Sequence, residues 1–179
     1  TTDALGHNKD FTYDYLGRKK SETEVASGTT ITTGYGYDER GNLTTVTDGE
    51  GNVTTYTYDG ANRNTTVTYE DATSITMTYD KNSNLATRTD AMWTVITNTY
   101  DDMNRITTRG IATGTGVGWV TNESYTYDPL GRMIGWNDSQ SGSLSFAYDF
   151  LSRLTNESQF ISGSSTKNLT YNYDSGSNL

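Results

Sequence analysis

The sequence predicts an all-β fold, a repeat array of antiparallel β-hairpins. Three observations carry that expectation. A Tyr-Asp pair recurs eight times, a period-two alternation leads into the pairs, and the composition favours half-buried strands. The pairs are Tyr13-Asp14, Tyr37-Asp38, Tyr58-Asp59, Tyr79-Asp80, Tyr100-Asp101, Tyr127-Asp128, Tyr148-Asp149 and Tyr173-Asp174, and their spacings are 24, 21, 21, 21, 27, 21 and 25 residues. Recurrence at a near-constant period marks one supersecondary unit stacked on itself. Such arrays act mainly through their extended surfaces.

Within each unit the elements follow in order. Ahead of the pairs, Ile75, Met77 and Tyr79 alternate with Ser74, Thr76 and Thr78. Leu144, Phe146 and Tyr148 alternate likewise with Ser145 and Ala147. This periodicity belongs to a strand with one half-buried face. Strands are therefore predicted over Ile31–Tyr37, Val53–Tyr58, Ser74–Tyr79, Val95–Tyr100, Leu144–Tyr148 and Asn168–Tyr173. A turn follows each pair. Its fifth position carries Gly17, Gly41, Asn62, Ser83, Asn104, Gly131, Ser152 or Ser177, all residues suited to turns and left-handed backbone. The sixth position is Arg or Asn: Arg18, Asn42, Arg63, Asn84, Arg105, Arg132, Arg153 and Asn178. A returning strand begins at the seventh, as in Leu43 to Thr47, and a second turn such as Asp48–Asn52 closes the unit. Extra residues fall only in the second turns, at 26–29, 111–118 and 161–167, so the Tyr-Asp edge reads as constrained and the opposite edge as free.

Composition limits function. Only 32% of residues are hydrophobic, but 14 are Tyr and only one is Pro, which speaks for pleated strands over disorder. The net charge is -9, and the densest basic run is Arg18-Lys19-Lys20, so no phosphate-binding cluster exists and nucleic acid is not an expected partner. No apolar run reaches the length of a membrane-spanning helix, and membrane insertion is not expected. The chain has no Cys and one His, His7, which removes disulfides, thiolate metal sites and histidine clusters; no metal or other cofactor is expected. Asp48-x-Glu50-x-Asn52 opens like a calcium loop but lacks the later ligands and reads as a hairpin turn. No nucleophile elbow or phosphate loop occurs, and catalytic residues are not expected.

The phrases YDYLGRK, YDERGNL, YDGANRN, YDKNSNL, YDDMNRI, YDPLGRM, YDFLSRL and YDSGSNL, from Tyr13 to Leu179, resemble the YD-repeat family, also called Rhs repeats. The resemblance implies a spiralling sheet that forms the wall of a shell, barrel or tube. Its members include bacterial polymorphic toxins, insecticidal toxin-complex shells, wall-associated proteins and teneurins, several of which enclose cargo or a toxic domain. Some members self-cleave at an Asp-Pro-x-Gly-Leu pattern. Here Asp128-Pro129-Leu130-Gly131 runs on into Arg132, and the segment reads as an ordinary repeat.

Residues 1–179 are thus expected to form a single array of eight copies, the last truncated, within a longer chain. The expected role is non-enzymatic: a wall segment of a large secreted or cell-surface bacterial protein. The expected partners are further repeats of the same chain or identical copies, with an enclosed toxin domain or surface glycans beyond them. The paired Tyr residues are expected to stack from repeat to repeat as an aromatic ladder. The paired Asp residues are expected to accept backbone N–H groups, and Arg18, Arg63, Arg105, Arg132 and Arg153 to pair with an Asp of the same or the adjacent repeat. A glycan- or cell-surface-binding adhesion module is the alternative, with Trp93, Trp119 and Trp136 as its candidate ligand surface. A self-processing toxin shell is a third reading.

Overall fold

The structure is a computed structural model that describes residues 8–26, 28–114, 121–174 and 176. Two units divide the chain, Thr1–Thr78 and Tyr79–Leu179. Strands are the only regular elements among the described residues. The first unit holds β1 (Asn8–Tyr13), β2 (Lys19–Ala26), β3 (Thr29–Tyr37), β4 (Leu43–Thr47), β5 (Val53–Tyr58), β6 (Asn64–Thr68) and β7 (Ser74–Tyr79), whose last residue opens the second unit. The second holds β8 (Leu85–Thr89), β9 (Val95–Tyr100), β10 (Ile106–Ala112), β11 (Thr121–Tyr127), β12 (Met133–Asp138), β13 (Gly142–Tyr148), β14 (Leu154–Ile161) and β15 (Lys167–Thr170). Within each unit the strands follow chain order, and each is antiparallel to the next.

The predicted strands at Val53–Tyr58, Ser74–Tyr79 and Val95–Tyr100 appear with those bounds. β3 and β13 begin two residues before the predicted starts, at Thr29 and Gly142. The last strand ends at Thr170, short of Tyr173. It has one described neighbour, β14, and beyond Thr170 a Tyr171 N–H to Thr155 C=O bond of 2.9 Å continues the contact. A strand paired on one side keeps fewer ladder bonds at its end.

Register explains the invariant turn length. Tyr37 lies opposite Leu43, Tyr58 opposite Asn64, Tyr127 opposite Met133 and Tyr148 opposite Leu154, so the first and seventh residues of a phrase face each other. One step further the register slips by one, leaving Thr44, Thr65, Ile134 and Thr155 as extra residues in the returning strands. The slip is a β-bulge, which returns the following side chains to alternating faces with a local twist.

The pairing sorts side chains onto two faces. One carries the paired Tyr together with Tyr35, Val46, Val67 and Ile75 in the first unit, and Arg109, Glu123, Tyr125 and Trp136 in the second. The other carries rows of small polar residues, such as Thr45–Thr55–Thr68–Ser74 and Thr99–Thr108–Ser124–Asn137–Ser143. No hydrophobic side chain among the described residues is fully buried. The sheet of each unit is one layer thick, so cohesion comes from the backbone ladder and from contacts between neighbouring strands.

Candidate functional site: the Tyr-Asp edge

Each phrase closes its turn through its own Asp. In the sixth copy, Asp128 Oδ1 accepts the N–H groups of Leu130 and Arg132, both at 2.9 Å. Its Oδ2 accepts from Arg132 Nε at 2.6 Å. The backbone closes with Asp128 N–H to Arg132 C=O and Gly131 N–H to Asp128 C=O, both 2.9 Å. Asp14, Asp59, Asp101 and Asp149 hold Arg18, Arg63, Arg105 and Arg153 in the same way at 2.6–2.7 Å. Of the two pairings left open by sequence, the structure has Asp and Arg of the same repeat together. Asp38 and Asp80 hold Asn42 and Asn84 through the amide Nδ2 at 2.8 and 2.9 Å. In the eighth copy, Asp174 Oδ1 accepts the Gly176 N–H at 2.8 Å.

The fifth position must turn left-handed. It does so at Gly17, Gly41 and Gly131, and also at Asn62, Ser83, Asn104 and Ser152, with φ between 61° and 90°. Side chains larger than Gly pay for that conformation unless they are Asn-like.

The carboxyls of Asp14, Asp38, Asp59, Asp101, Asp128 and Asp149 are held below the usual carboxylate range. For Asp101 the Arg105 guanidinium is the leading cause, followed by the Arg105 amide. For Asp38 it is the Asn42 side-chain amide. At Asp128 burial pulls upward, but the Arg132 amide and guanidinium outweigh it.

The same phrase also grips its neighbour. The hydroxyl of Tyr37 donates to Lys19 C=O at 2.9 Å, and that of Tyr58 to Leu43 C=O at 2.8 Å. Tyr100 donates to Leu85, Tyr127 to Ile106, Tyr148 to Met133 and Tyr173 to Leu154, at 2.8–3.0 Å. Every acceptor is the seventh residue of the preceding phrase. A carbonyl is indifferent to its side chain, which accounts for Lys19 at a mostly apolar position.

The expected ring-on-ring ladder takes a different form: the rungs are cation–π pairs. The guanidinium of Arg18 lies 4.7 Å from the Tyr37 ring centroid, Arg105 lies 4.4 Å from Tyr127, Arg132 4.7 Å from Tyr148 and Arg153 4.5 Å from Tyr173. Strand separation of about 4.8 Å per step puts consecutive Tyr two strands apart, too far for direct stacking, and the Arg of one phrase covers the Tyr ring of the next instead. Arg18 and Arg132 add bonds from Nη1 to the next phrase's Asp C=O, at 3.0 and 3.1 Å. Where Asn replaces Arg, Asn42 and Asn84 donate to Asn62 and Asn104 at 3.1 and 2.8 Å. Tyr13, in the first copy, is 60% exposed.

The opposite edge is more ordered than its variable length suggests. Asp48 Oδ1 accepts the N–H groups of Glu50 and Asn52, its Oδ2 accepts from Asn52 Nδ2 at 2.8 Å, and Gly51 has φ 92°. Asp90 repeats this with Thr94, and Trp93 takes the left-handed place at φ 62°. Asp-x-x-Gly-Asn at 48–52 matches Asp-x-x-Gly-Asn at 38–42, a signal in the sequence that the Tyr-centred alignment passed over.

Of the three Trp residues, Trp93 is 71% exposed beside Met92 at 75%. Trp136 is half-buried in β12 between Tyr125 and Leu144. Trp119 lies outside the described residues, as do Ser177, Asn178 and Leu179. Trp93 thus sits in the turn between β8 and β9, and Trp136 within a strand.

Residues 20–53 and 37–74 match the family model for the RHS Repeat. Residues 20–74 of this chain thus carry RHS (YD) repeats. No curated protein matches it. Among solved structures, a crystal structure of TcdB2-TccC3-TEV is similar with a TM-score of 0.71 and 18% identity, covering 96% of this chain and 11% of that chain. A Tc holotoxin pore of Photorhabdus luminescens is similar with a TM-score of 0.70 and 18% identity, over 94% of this chain and 10% of that one. TcdB2-TccC3-Cdc42 follows at 0.68 and 17%, over 83% and 9%. The chain thus spans about a tenth of the length of these structures, and the likeness is one of fold.

Proposed function

We propose that this RHS-repeat chain is a wall segment of a longer, secreted bacterial protein whose sheet encloses a cargo domain, and that the segment itself performs no chemistry. The observation that carries this reading is the interlock between phrases. The hydroxyls of Tyr37, Tyr58, Tyr100, Tyr127, Tyr148 and Tyr173 and the guanidinium groups of Arg18, Arg105, Arg132 and Arg153 engage the neighbouring repeat, so the unit propagates a single-layer sheet instead of building a pocketed core. The carboxylates are likewise spent. Asp128, beside Pro129 in the segment nearest to a self-cleavage pattern, has both oxygens engaged by its own turn, which supports an ordinary repeat there. The Tc toxin structures, similar in fold, make a shell the natural setting. The test is to image the full-length protein by electron microscopy and to digest it with protease. A hollow particle whose enclosed domain resists cleavage until the wall is opened supports the proposal. A solid fibre, or a cargo domain cut as fast as in isolation, refutes it.

A second reading, surface adhesion through glycans, draws support from the exposed Met92–Trp93 turn. Trp93→Ala should then abolish retention on a glycan array with the fold intact. Absence of binding by the unaltered protein would sink this reading.

A further inference from the structure

The two faces of the sheet in the second unit differ in charge. Following the pairs from β8 to β15, the Tyr face carries Arg88, Arg109, Glu123, Asp138, Glu157 and Lys167. The opposite face carries no charged residue on any described strand. It is built from Thr, Ser, Asn and Gly, with Val95, Ala112, Ile134, Ala147 and Phe160 among them. Many of its hydroxyls are satisfied within the sheet: Thr99 meets Thr108 at 2.6 Å and Ser158 meets Asn168 at 2.5 Å. Thr97, Thr99, Thr108, Asn122 and Thr126 are exposed. In a chain of net charge -9 with 35 ionisable Lys, Arg, Asp and Glu side chains, so neutral a face is a specific feature.

The geometry points to the hydroxyl face as the inner, cargo-facing surface of the wall, a lining that contacts an enclosed polypeptide without retaining it. This rests on the shell reading above. A charged lining would hold segments of opposite sign, since ion pairs act over a Debye length of roughly 8 Å. An apolar lining would hold exposed hydrophobic segments. Hydroxyls and amides already bonded to each other or to water gain little from a new partner. The bulk-facing surface has the opposite need: mixed charge keeps a large particle soluble. The Tyr face carries the Arg, Lys and Glu side chains beside Tyr125, Trp136 and Leu144, with Asp138 bound into its own turn, and is the charged one of the two.

The test exploits the absence of Cys from the chain. In the full-length protein, with any other reactive thiol substituted, Thr97→Cys marks the hydroxyl face and Gln159→Cys the Tyr face; both positions are exposed, and both lie in the second unit. The assembled particle is treated with a polyethylene-glycol maleimide too large to enter, and then, after unfolding, with N-ethylmaleimide. The expected result is modification of Gln159→Cys with Thr97→Cys several-fold slower, and equal reaction once unfolded. The reverse pattern overturns the inference and leaves the shell reading intact. Rapid modification of both overturns the shell reading itself. Protection of both also overturns the inference, because the charged face would then not be the outer one.

Discussion

Removing one oxygen from Tyr127 isolates the bond between repeats. Tyr127→Phe keeps the ring beneath Arg105, whose guanidinium lies 4.4 Å from the centroid, and deletes only the 3.0 Å bond to Ile106 C=O. A hydrogen bond of this kind contributes about 0.5–1.5 kcal/mol net. For a chain of this size each kcal/mol moves the melting temperature by about 2–4 °C. Tyr127→Ala removes the ring as well. A fully buried aromatic truncated to Ala costs about 3–5 kcal/mol, and for a half-buried ring with one cation–π contact roughly 2–3 kcal/mol is expected. Two controls fix the scale. Tyr13 is 60% exposed in the first copy, and Tyr13→Phe should change stability by less than about 0.5 kcal/mol. Thr126, adjacent to Tyr127 but exposed on the hydroxyl face, should be equally tolerant of Ala. Urea titration followed by circular dichroism and Tyr fluorescence measures all four, in a protein that keeps the flanking repeats so that neighbour coupling is preserved. If Tyr127→Phe proves as mild as Tyr13→Phe, the hydroxyl-to-carbonyl bond does not hold repeats together, and the account of the Tyr-Asp edge fails.

Arg132→Lys should lose nearly as much stability as Arg132→Ala in denaturant titration, because an ammonium cannot serve Asp128 Oδ2, Asp149 C=O and the Tyr148 ring together. Gly131→Ala, at φ 85°, should cost roughly 1 kcal/mol, whereas Gly60→Ala, with open space around its Cβ position, should be neutral or slightly stabilising by the same measurement. Ser152→Gly, at φ 64°, should raise the melting temperature. Acid should weaken the fold in a defined direction. The folded pKa values of Asp59 and Asp101 are depressed, first by the Arg63 and Arg105 side chains, so their contribution is present above the ordinary carboxylate pKa and lost as pH falls through the folded values. Melting curves against pH should show that loss, and Asp101→Asn should flatten it; an unchanged acid limb in the variant would contradict the assignment.

Much of the strand layout was legible because two local signals coincide. Period-two alternation gave β5, β7 and β9 their bounds, and the turn residues at position five announced the left-handed step that the backbone takes at Gly41, Asn62 and Ser152. Both depend on residues within a few positions of each other, where sequence and conformation are tightly linked. The Asp-to-Arg pairing within one turn is equally local, although sequence alone left the neighbouring repeat as an option. The ladder was less legible. Which atom a Tyr hydroxyl meets depends on strand spacing and on the bulge at position eight, and neither is visible in the phrase. The order of the opposite edge was missed because its Asp48 and Asp90 turns lack the Tyr that anchored the alignment.

The sequence by itself determined that this chain is a β-hairpin array, where its Tyr-Asp turns fall and which residues share a face, since those follow from backbone preferences and a period of two. Only the tertiary structure decided that Arg lies over the Tyr ring of the next phrase, that Tyr hydroxyls such as those of Tyr127 and Tyr148 reach the seventh carbonyl of the preceding phrase, and that one face of the second unit is free of charge on its described strands. Those properties arise from the alignment of residues 15 to 21 positions apart across adjacent strands, and register sets that alignment.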